Sequence, residues 1–200
     1  MRTMSLLVAA AATLWLVACA PTVPTGMPAS PPVPQQRLEE LRVGYGLPDC
    51  PTTDPAAEQI DGGLPRTALL CLGSDTVVNL AGLPREPMII NLWAQWCAPC
   101  REESPYLRAA LADLEGVTFL GINYDDDKPD WALEFADLVG WRYPHVMDQT
   151  KSLQGPLRVP GLPTTIFVTA DGKIAGVHPG VLESEEQLKD LAHEYLGVTP

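Results

Sequence analysis

Two cysteines separated by two residues, Cys97 and Cys100 in Trp96-Cys97-Ala98-Pro99-Cys100, have the types and spacing to do chemistry together. Such a pair can close a small disulfide ring and reopen it to two thiols. With the first cysteine at a helix N-terminus, its thiolate faces the positive end of the helix dipole. That lowers the thiol pKa and makes an attacking sulfur at neutral pH. The reaction such a site serves is thiol–disulfide exchange.

The flanks supply elements to position the pair. Pro87 to Trp93 reads as a short buried strand. Pro99 to Leu114 reads as a helix, with Pro99 near the first turn, where no helical hydrogen bond is lost. In this arrangement Cys97 is the nucleophile toward a partner disulfide, and Cys100 resolves the mixed disulfide. The competing reading, a purely structural bridge, fits the helix context less well.

Asn91-Leu92-Trp93-Ala94-Gln95-Trp96-Cys97-Ala98-Pro99-Cys100 resembles the active-site segment of the thioredoxin superfamily. Pro105, five residues after Cys100, matches the proline that kinks the first active-site helix there. Gly161-Leu162-Pro163-Thr164-Thr165 resembles the cis-proline loop that packs against the cysteine pair. Within the superfamily the chain is similar to the exported, membrane-tethered TlpA/ResA group, over roughly Leu64 to Leu196. The resemblance implies an α/β, thioredoxin-like fold: a mixed central sheet flanked by helices, with an N-terminal extension and a central insertion between Asn123 and Pro160. It implies a cis bond before Pro163, in a loop that offers backbone groups to an extended partner segment and leaves no room for a metal. Trp96 and Leu162 would touch the substrate, and Trp93 would pack nearby. Asn91 is a departure, because thioredoxin has a buried aspartate there. Glu103 matches a glutamate of the ResA-like group and lies one helical turn from Cys100. It would help manage the Cys100 proton; the other reading is a solvent-exposed helix glutamate.

Other chemistry is excluded or unsupported. A net charge of −12 argues against nucleic acid, which requires a basic surface. His145, His178 and His193 are scattered and no second Cys-x-x-Cys is present, so no metal site is expected. With no phosphate loop or dinucleotide fingerprint, no cofactor is expected and electrons must come from another protein. The resemblance implies a membrane thiol-electron donor of the CcdA/DsbD kind. Ala98-Pro99 brings neither charge nor a donor side chain, where strongly oxidising relatives place a histidine. This points to a reductant of disulfides in exported proteins, with apocytochrome c among the targets of the TlpA/ResA group. The alternatives are a disulfide-forming oxidase of exported proteins and a non-enzymatic module that holds a partner in the cis-proline groove.

Residues 1–18 read as a signal segment: Arg2 supplies a minimal charged start, and Leu6 to Val17 is apolar and short for a bilayer span. Leu16-Val17-Ala18-Cys19 resembles a bacterial lipobox, which implies lipidation of Cys19 and a membrane anchor facing the extracytoplasmic side. A secretory signal with a chance cysteine and an uncleaved anchor are the other readings; all three place the domain outside the cytoplasm. Residues 19–47 read as a proline-rich tether, with a short helical turn over Arg37 to Val43, and residues 48–198 as the folded domain. Outside the cytoplasm, Cys50 and Cys71 most simply form a structural disulfide, worth about 3 kcal/mol by chain entropy. A second redox pair or a resolving thiol for Cys97 is the alternative.

The remaining pattern reads as β-α-β-α-β-β-α, with helices on both faces of the sheet. Thr67 to Leu72, Val117 to Asn123, Tyr143 to Asp148, Thr164 to Thr169 and Ile174 to Val177 read as extended, with a short turn and strand over Asp75 to Leu83. Tyr124 to Asp130 reads as an acidic turn, with Asp130 capping a helix through Val139. Lys151 to Leu157 reads as one or two helical turns. Ala170 to Lys173 reads as a hairpin turn and Glu183 to Leu196 as a closing amphipathic helix.

Overall fold

The computed structural model describes residues 32–198. The signal segment, the lipidation candidate Cys19 and the tether up to residue 31 lie outside the described residues. The elements are α1 (Gln35–Gly44), β1 (Ala68–Cys71), β2 (Val77–Asn79), a 3-10 turn (Leu80–Gly82), β3 (Met88–Trp93), α2 (Ala98–Asp113), β4 (Thr118–Tyr124), α3 (Pro129–Leu138), β5 (His145–Asp148), β6 (Thr164–Val168), β7 (Ile174–Pro179) and α4 (Glu185–Leu196). The strands form one sheet in the order β2-β1-β5-β4-β3-β6-β7. β3 pairs parallel with β4 and β4 with β5, and the other pairs are antiparallel, so the sheet is mixed. β3 is buried along its whole length, as a central strand with both faces covered must be.

The helices do not divide between the two faces. Ile89 and Trp93 of β3 join an apolar cluster with buried residues of α1, α2, α3 and α4. Met88, Ile90 and Leu92 join a second cluster, closed by Cys50, Leu64, Leu83, Leu153 and Val159 from irregular chain. The cause is handedness. β3-α2-β4 and β4-α3-β5 step across the sheet in the same direction, so two right-handed crossovers put both helices on one face. The opposite face is left to the segment before β1 and the segment between β5 and β6.

Several boundaries shift for local reasons. α3 starts at Pro129 and Lys128 holds its N-cap position, not Asp130, which falls in the first turn. Pro129 at the start needs no hydrogen bond and already has helical φ. Over Lys151 to Leu157 the chain forms turns, one of them closed by Leu157 N donating to Leu153 O at 3.0 Å, while Lys151 itself, with φ of 58°, lies outside helical geometry. α4 is capped as its sequence suggests: the Ser184 hydroxyl accepts from Gln187 N at 3.1 Å, and Gly197 ends it with φ of 68°. Residues 35–47, read above as tether, are docked. α1 packs on α3, Leu38 and Leu47 are buried, and Arg42 donates to the carbonyls of Gly73 (3.0 Å) and Leu47 (3.1 Å). Among the described residues no helix is long and apolar enough to cross a membrane.

One glycine sets a close approach in the helical-face core. Gly121 lies between Asn91 of β3 and His145 of β5 in the sheet register. A Cβ there would come within 1.9 Å of His145 Nδ1 and 2.8 Å of Trp93 Nε1. These two rings are bonded to each other, Trp93 Nε1 donating to His145 Nδ1 at 3.3 Å, and lie edge to face beside Trp141 and Tyr143. Gly121→Ala is expected to lower stability by about 1–3 kcal/mol, the usual cost of overpacking. A reduced urea midpoint at unchanged slope would register it; an unchanged midpoint would show that the ring pair can move aside.

Candidate active site

β3 ends at Trp93, the chain turns through Ala94-Gln95-Trp96, and α2 begins at Ala98. Cys97 is the N-cap residue of α2: its backbone is extended and its Sγ accepts from Cys100 N at 3.2 Å. Pro99 sits in the first turn. The first cysteine thus occupies the place where a side-chain acceptor meets the unpaired N–H groups and positive pole of the helix. Cys97 and Cys100 are bonded, with sulfurs 2.06 Å apart, and both are buried. Pro105 lies inside α2.

Glu103 is fully buried, so the solvent-exposed reading does not hold. Its Oε1 accepts from Asn91 Nδ2 at 3.0 Å and its Oε2 from Leu182 N at 2.9 Å, in the connection between β7 and α4. Burial pushes its carboxyl up to about 7, against the lowering pull of the Leu182 N–H and the Asn91 amide. The buried carboxyl one turn along α2 from Cys100 thus has Asn91 of β3 as a hydrogen-bond partner. Tyr143 is held above its usual range, by burial first and then by the Glu103 charge. Burial also pushes His145 down to about 3, with the Trp141 backbone offsetting part of this. His145 is thus a neutral core residue. It accepts from Trp93 on Nδ1, which leaves its proton on Nε2.

The Leu162–Pro163 peptide is cis, and the loop leads directly into β6, which pairs with β3. Thr164 Oγ1 donates to Gly161 O at 2.7 Å and Gly180 N donates to Pro163 O at 3.0 Å, fixing the loop on both sides. Leu162 is half-buried and Trp96 is 53% exposed. Both line a shallow groove with Asp125, Lys151, Val159 and Gly161. Asp125 and Lys151 form an ion pair at 3.1 Å across its rim. Among the described residues, the non-glycine positions with positive φ are Asp125, Lys151 and Arg158, all at or next to this groove.

Cys50 and Cys71 are bonded, sulfurs 1.98 Å apart, tying the segment before β1 to the sheet. Asp49 lies close enough to make a three-ligand cluster with them, but both sulfurs are committed to each other. His178 and His193 lie on β7 and α4. The sequence gives no sign of Asp126, a buried carboxylate that accepts from Gln95 N at 2.9 Å just before the cysteine pair. It sits in the run Asp125-Asp126-Asp127, where composition does not distinguish the buried member from its exposed neighbours.

The Redoxin family matches residues 52–193 of the chain. The thiol:disulfide interchange protein DsbE of Pseudomonas fluorescens biotype C is 33% identical over 151 residues, covering 71% of this chain and 80% of that protein. The thiol-disulfide oxidoreductase ResA of Bacillus subtilis strain 168 is 25% identical over 123 residues, with 60% of this chain and 65% of that protein covered. DsbE of Escherichia coli K12 is matched over 60% of its length, so the chain spans less than two thirds of these latter two relatives. Among solved structures, a secreted thiol-disulfide isomerase of Corynebacterium glutamicum aligns with TM-score 0.58 and 31% identity, over 64% of this chain and 82% of that one. StoA of Bacillus subtilis aligns with TM-score 0.51 and 20% identity, covering 62% and 96%, a likeness of fold. With most of the described body matched in this way, the chain belongs to the Redoxin family and has a thioredoxin-like fold.

Proposed function

We propose that this chain is an extracytoplasmic thiol–disulfide oxidoreductase that reduces disulfides of exported proteins through Cys97 and Cys100. The observation that carries the reading is Cys97 at the N-cap of α2, its sulfur receiving the Cys100 N–H and bonded to Cys100. The naming of relatives as thiol-disulfide oxidoreductases and interchange proteins supports the same chemistry.

In the reduced protein the Cys97 thiolate attacks one sulfur of a partner disulfide. A Cys97–partner bond forms, the partner S–S bond breaks, and the leaving thiolate takes a proton from solvent. Cys100 then gives up its proton and attacks Cys97 Sγ. The second partner sulfur leaves as thiolate, and two electrons have passed from the cysteine pair to the partner. Glu103 suits the acceptor role for the Cys100 proton: it is one turn along α2, buried, and near 7 in pKa, so it exchanges a proton close to neutral pH. Trp96 and Leu162 border the approach to Cys97, and the loop at Pro163 presents backbone to an extended partner segment. Cys50–Cys71 serves as a structural bridge.

The electrons lost are restored by a membrane thiol donor of the CcdA/DsbD kind. Cleavage after residue 18 and lipidation of Cys19 anchor the protein on the extracytoplasmic side of the cell membrane, and apocytochrome c is a candidate substrate. These assignments rest on the lipobox-like sequence and on the likeness to the TlpA/ResA group.

The decisive test is the reduction potential of the Cys97–Cys100 couple with Cys50 and Cys71 intact. A value near or below thioredoxin's, about −270 mV, is expected; a value near DsbA's, about −120 mV, would make the protein an oxidase. Cys97→Ser is expected to abolish exchange with a model disulfide, whereas Cys100→Ser should accumulate a mixed disulfide visible by mass. A Cys97→Ser protein that still complements a deletion would point to a binding module.

Glu103 also gives stability a pH dependence. Its folded pKa of about 7 lies above its unfolded value, so the folded state holds the proton more tightly. Its contribution is fully present below the unfolded value and is lost as pH rises through about 7. Glu103→Gln should remove this decline from urea titrations run between acid and mildly alkaline pH. A variant with the same slope as the parent would assign the decline to other groups.

A further inference from the structure

The acidic turn after β4 takes no part in the exchange steps, yet it holds both residues in front of Cys97. Trp96 Nε1 donates to Asp125 O at 3.0 Å, and Gln95 N donates to Asp126 Oδ2 at 2.9 Å. Cys97 N in turn donates to Ala94 O at 3.1 Å, so the cysteine is fixed to the same loop. Asp126 is 1% exposed. Its Oδ2 also accepts from Asn123 Nδ2 at 3.0 Å and its Oδ1 from Lys128 N at 3.1 Å, while its carbonyl accepts from Gln149 Nε2 at 3.2 Å. Every contact on the carboxylate comes from an N–H donor, and no salt bridge reaches it among the described residues. This is how a buried carboxylate keeps its charge without a cation to cancel it.

We propose that Asp126 is a positioning residue of the redox site, which clamps the loop before Cys97 and, through its buried charge, biases the Cys97–Cys100 pair toward the disulfide. The inference rests on the thiol–disulfide reading above. Asp126 Oδ2 lies 2.9 Å from Gln95 N, and two residues of chain from there to the Cys97 backbone add at most about 7 Å. Within that combined reach of about 10 Å, inside protein, a carboxylate that no cation pairs opposes formation of a second negative charge on Cys97. A less stable thiolate means a less stable reduced form, and therefore a more reducing couple.

The other charges around Cys97 are the same in the parent and in an Asp126 variant, so they do not enter the comparison between the two. Arg101 of α2 binds the Gln95 carbonyl from the exposed side, and its guanidinium also lies 4.8 Å from the Phe135 ring. Asp125 and Lys151 on the groove rim are paired with each other. Glu103 lies on the buried side of α2 and adds negative charge when ionised. The helix dipole and the Cys100 N–H favour the thiolate, so Asp126 acts against them and sets how far they succeed.

The charge can be removed while the contact to Gln95 N is kept, which separates the two parts of the role. Asp126→Asn keeps the shape and an oxygen for Gln95 N but removes the charge. The equilibrium constant with glutathione should move about tenfold toward the dithiol, about 30 mV for a two-electron couple. Cys97 should ionise about one pH unit lower, followed by thiolate absorbance or alkylation rate. Asp148→Asn is the control. Asp148 is another buried carboxylate, accepting from Ser152 N, Ser152 Oγ and Leu153 N, in the turn after β5 and not on the active-site loop. It should lose stability without moving either quantity.

The proposal is overturned if Asp126→Asn leaves both quantities at the parent values, moves them the other way, or is matched by Asp148→Asn. If the Asn variant does not fold, Asp126→Ser, also uncharged and able to accept one N–H, makes the same comparison with the same expected sign. A parent protein whose pair does not exchange with glutathione would instead remove the thiol–disulfide reading, and this inference with it.

Discussion

Successive parallel strands that step the same way across a sheet must carry their right-handed crossover helices on one face. β3, β4 and β5 obey this constraint, and much of the molecule follows from it. One face receives the helices and the large aromatic residues Trp93, Phe135, Trp141 and Tyr143. The other face has no α-helix to close it and is covered by irregular chain that includes Cys50 and Leu64 before β1, Leu83 after the 3-10 turn, and Leu153 to Val159. Irregular cover has fewer internal hydrogen bonds than a helix and needs fastening. The Cys50–Cys71 bridge provides it at one end, and the three N–H and O–H donors gathered by the Asp148 carboxylate provide it at the other.

The same arrangement explains the polar residues buried between β3 and α2. α2 crosses over β3, so the side chain of Asn91 meets a residue of α2 and not solvent. A carboxylate in that place loses hydration and recovers only part of it from one amide and one backbone N–H. It is therefore held near neutrality in pKa and not fully charged. Nearby, Trp93 and His145 satisfy one another over the bare backbone of Gly121, and His145 remains neutral.

What was legible in the sequence was what local pattern encodes. The strand–turn–helix around Cys97, the proline in the first turn of α2, the hairpin at Asp171-Gly172 and the cap of α4 all depend on residues close in the chain. The segment at Pro163 was legible through likeness to a known family. What was not legible depends on residues far apart. The buried Glu103 is bonded by Leu182 N, seventy-nine positions away, and the buried Asp126 by Gln95 N from the turn before α2. Asp130 looked like a cap because of its residue type, but Pro129 had already fixed the helix start. Element order alone suggests helices on both faces because it does not say which way each crossover steps.

The groove lined by Trp96 and Leu162 has three non-glycine residues in left-handed backbone conformations at or next to it: Asp125 and Lys151 in its lining, and Arg158 beside Val159. Side chains disfavour that conformation, so the surrounding fold must impose it. Part of the free energy of folding is therefore stored along this rim. The result is a surface shaped before any encounter, with little backbone freedom left to surrender. Under the function proposed above, an extended segment settling against Trp96 and Leu162 would bear most of the loss of entropy itself, and a short, loosely structured chain could be held long enough for two sulfurs to meet.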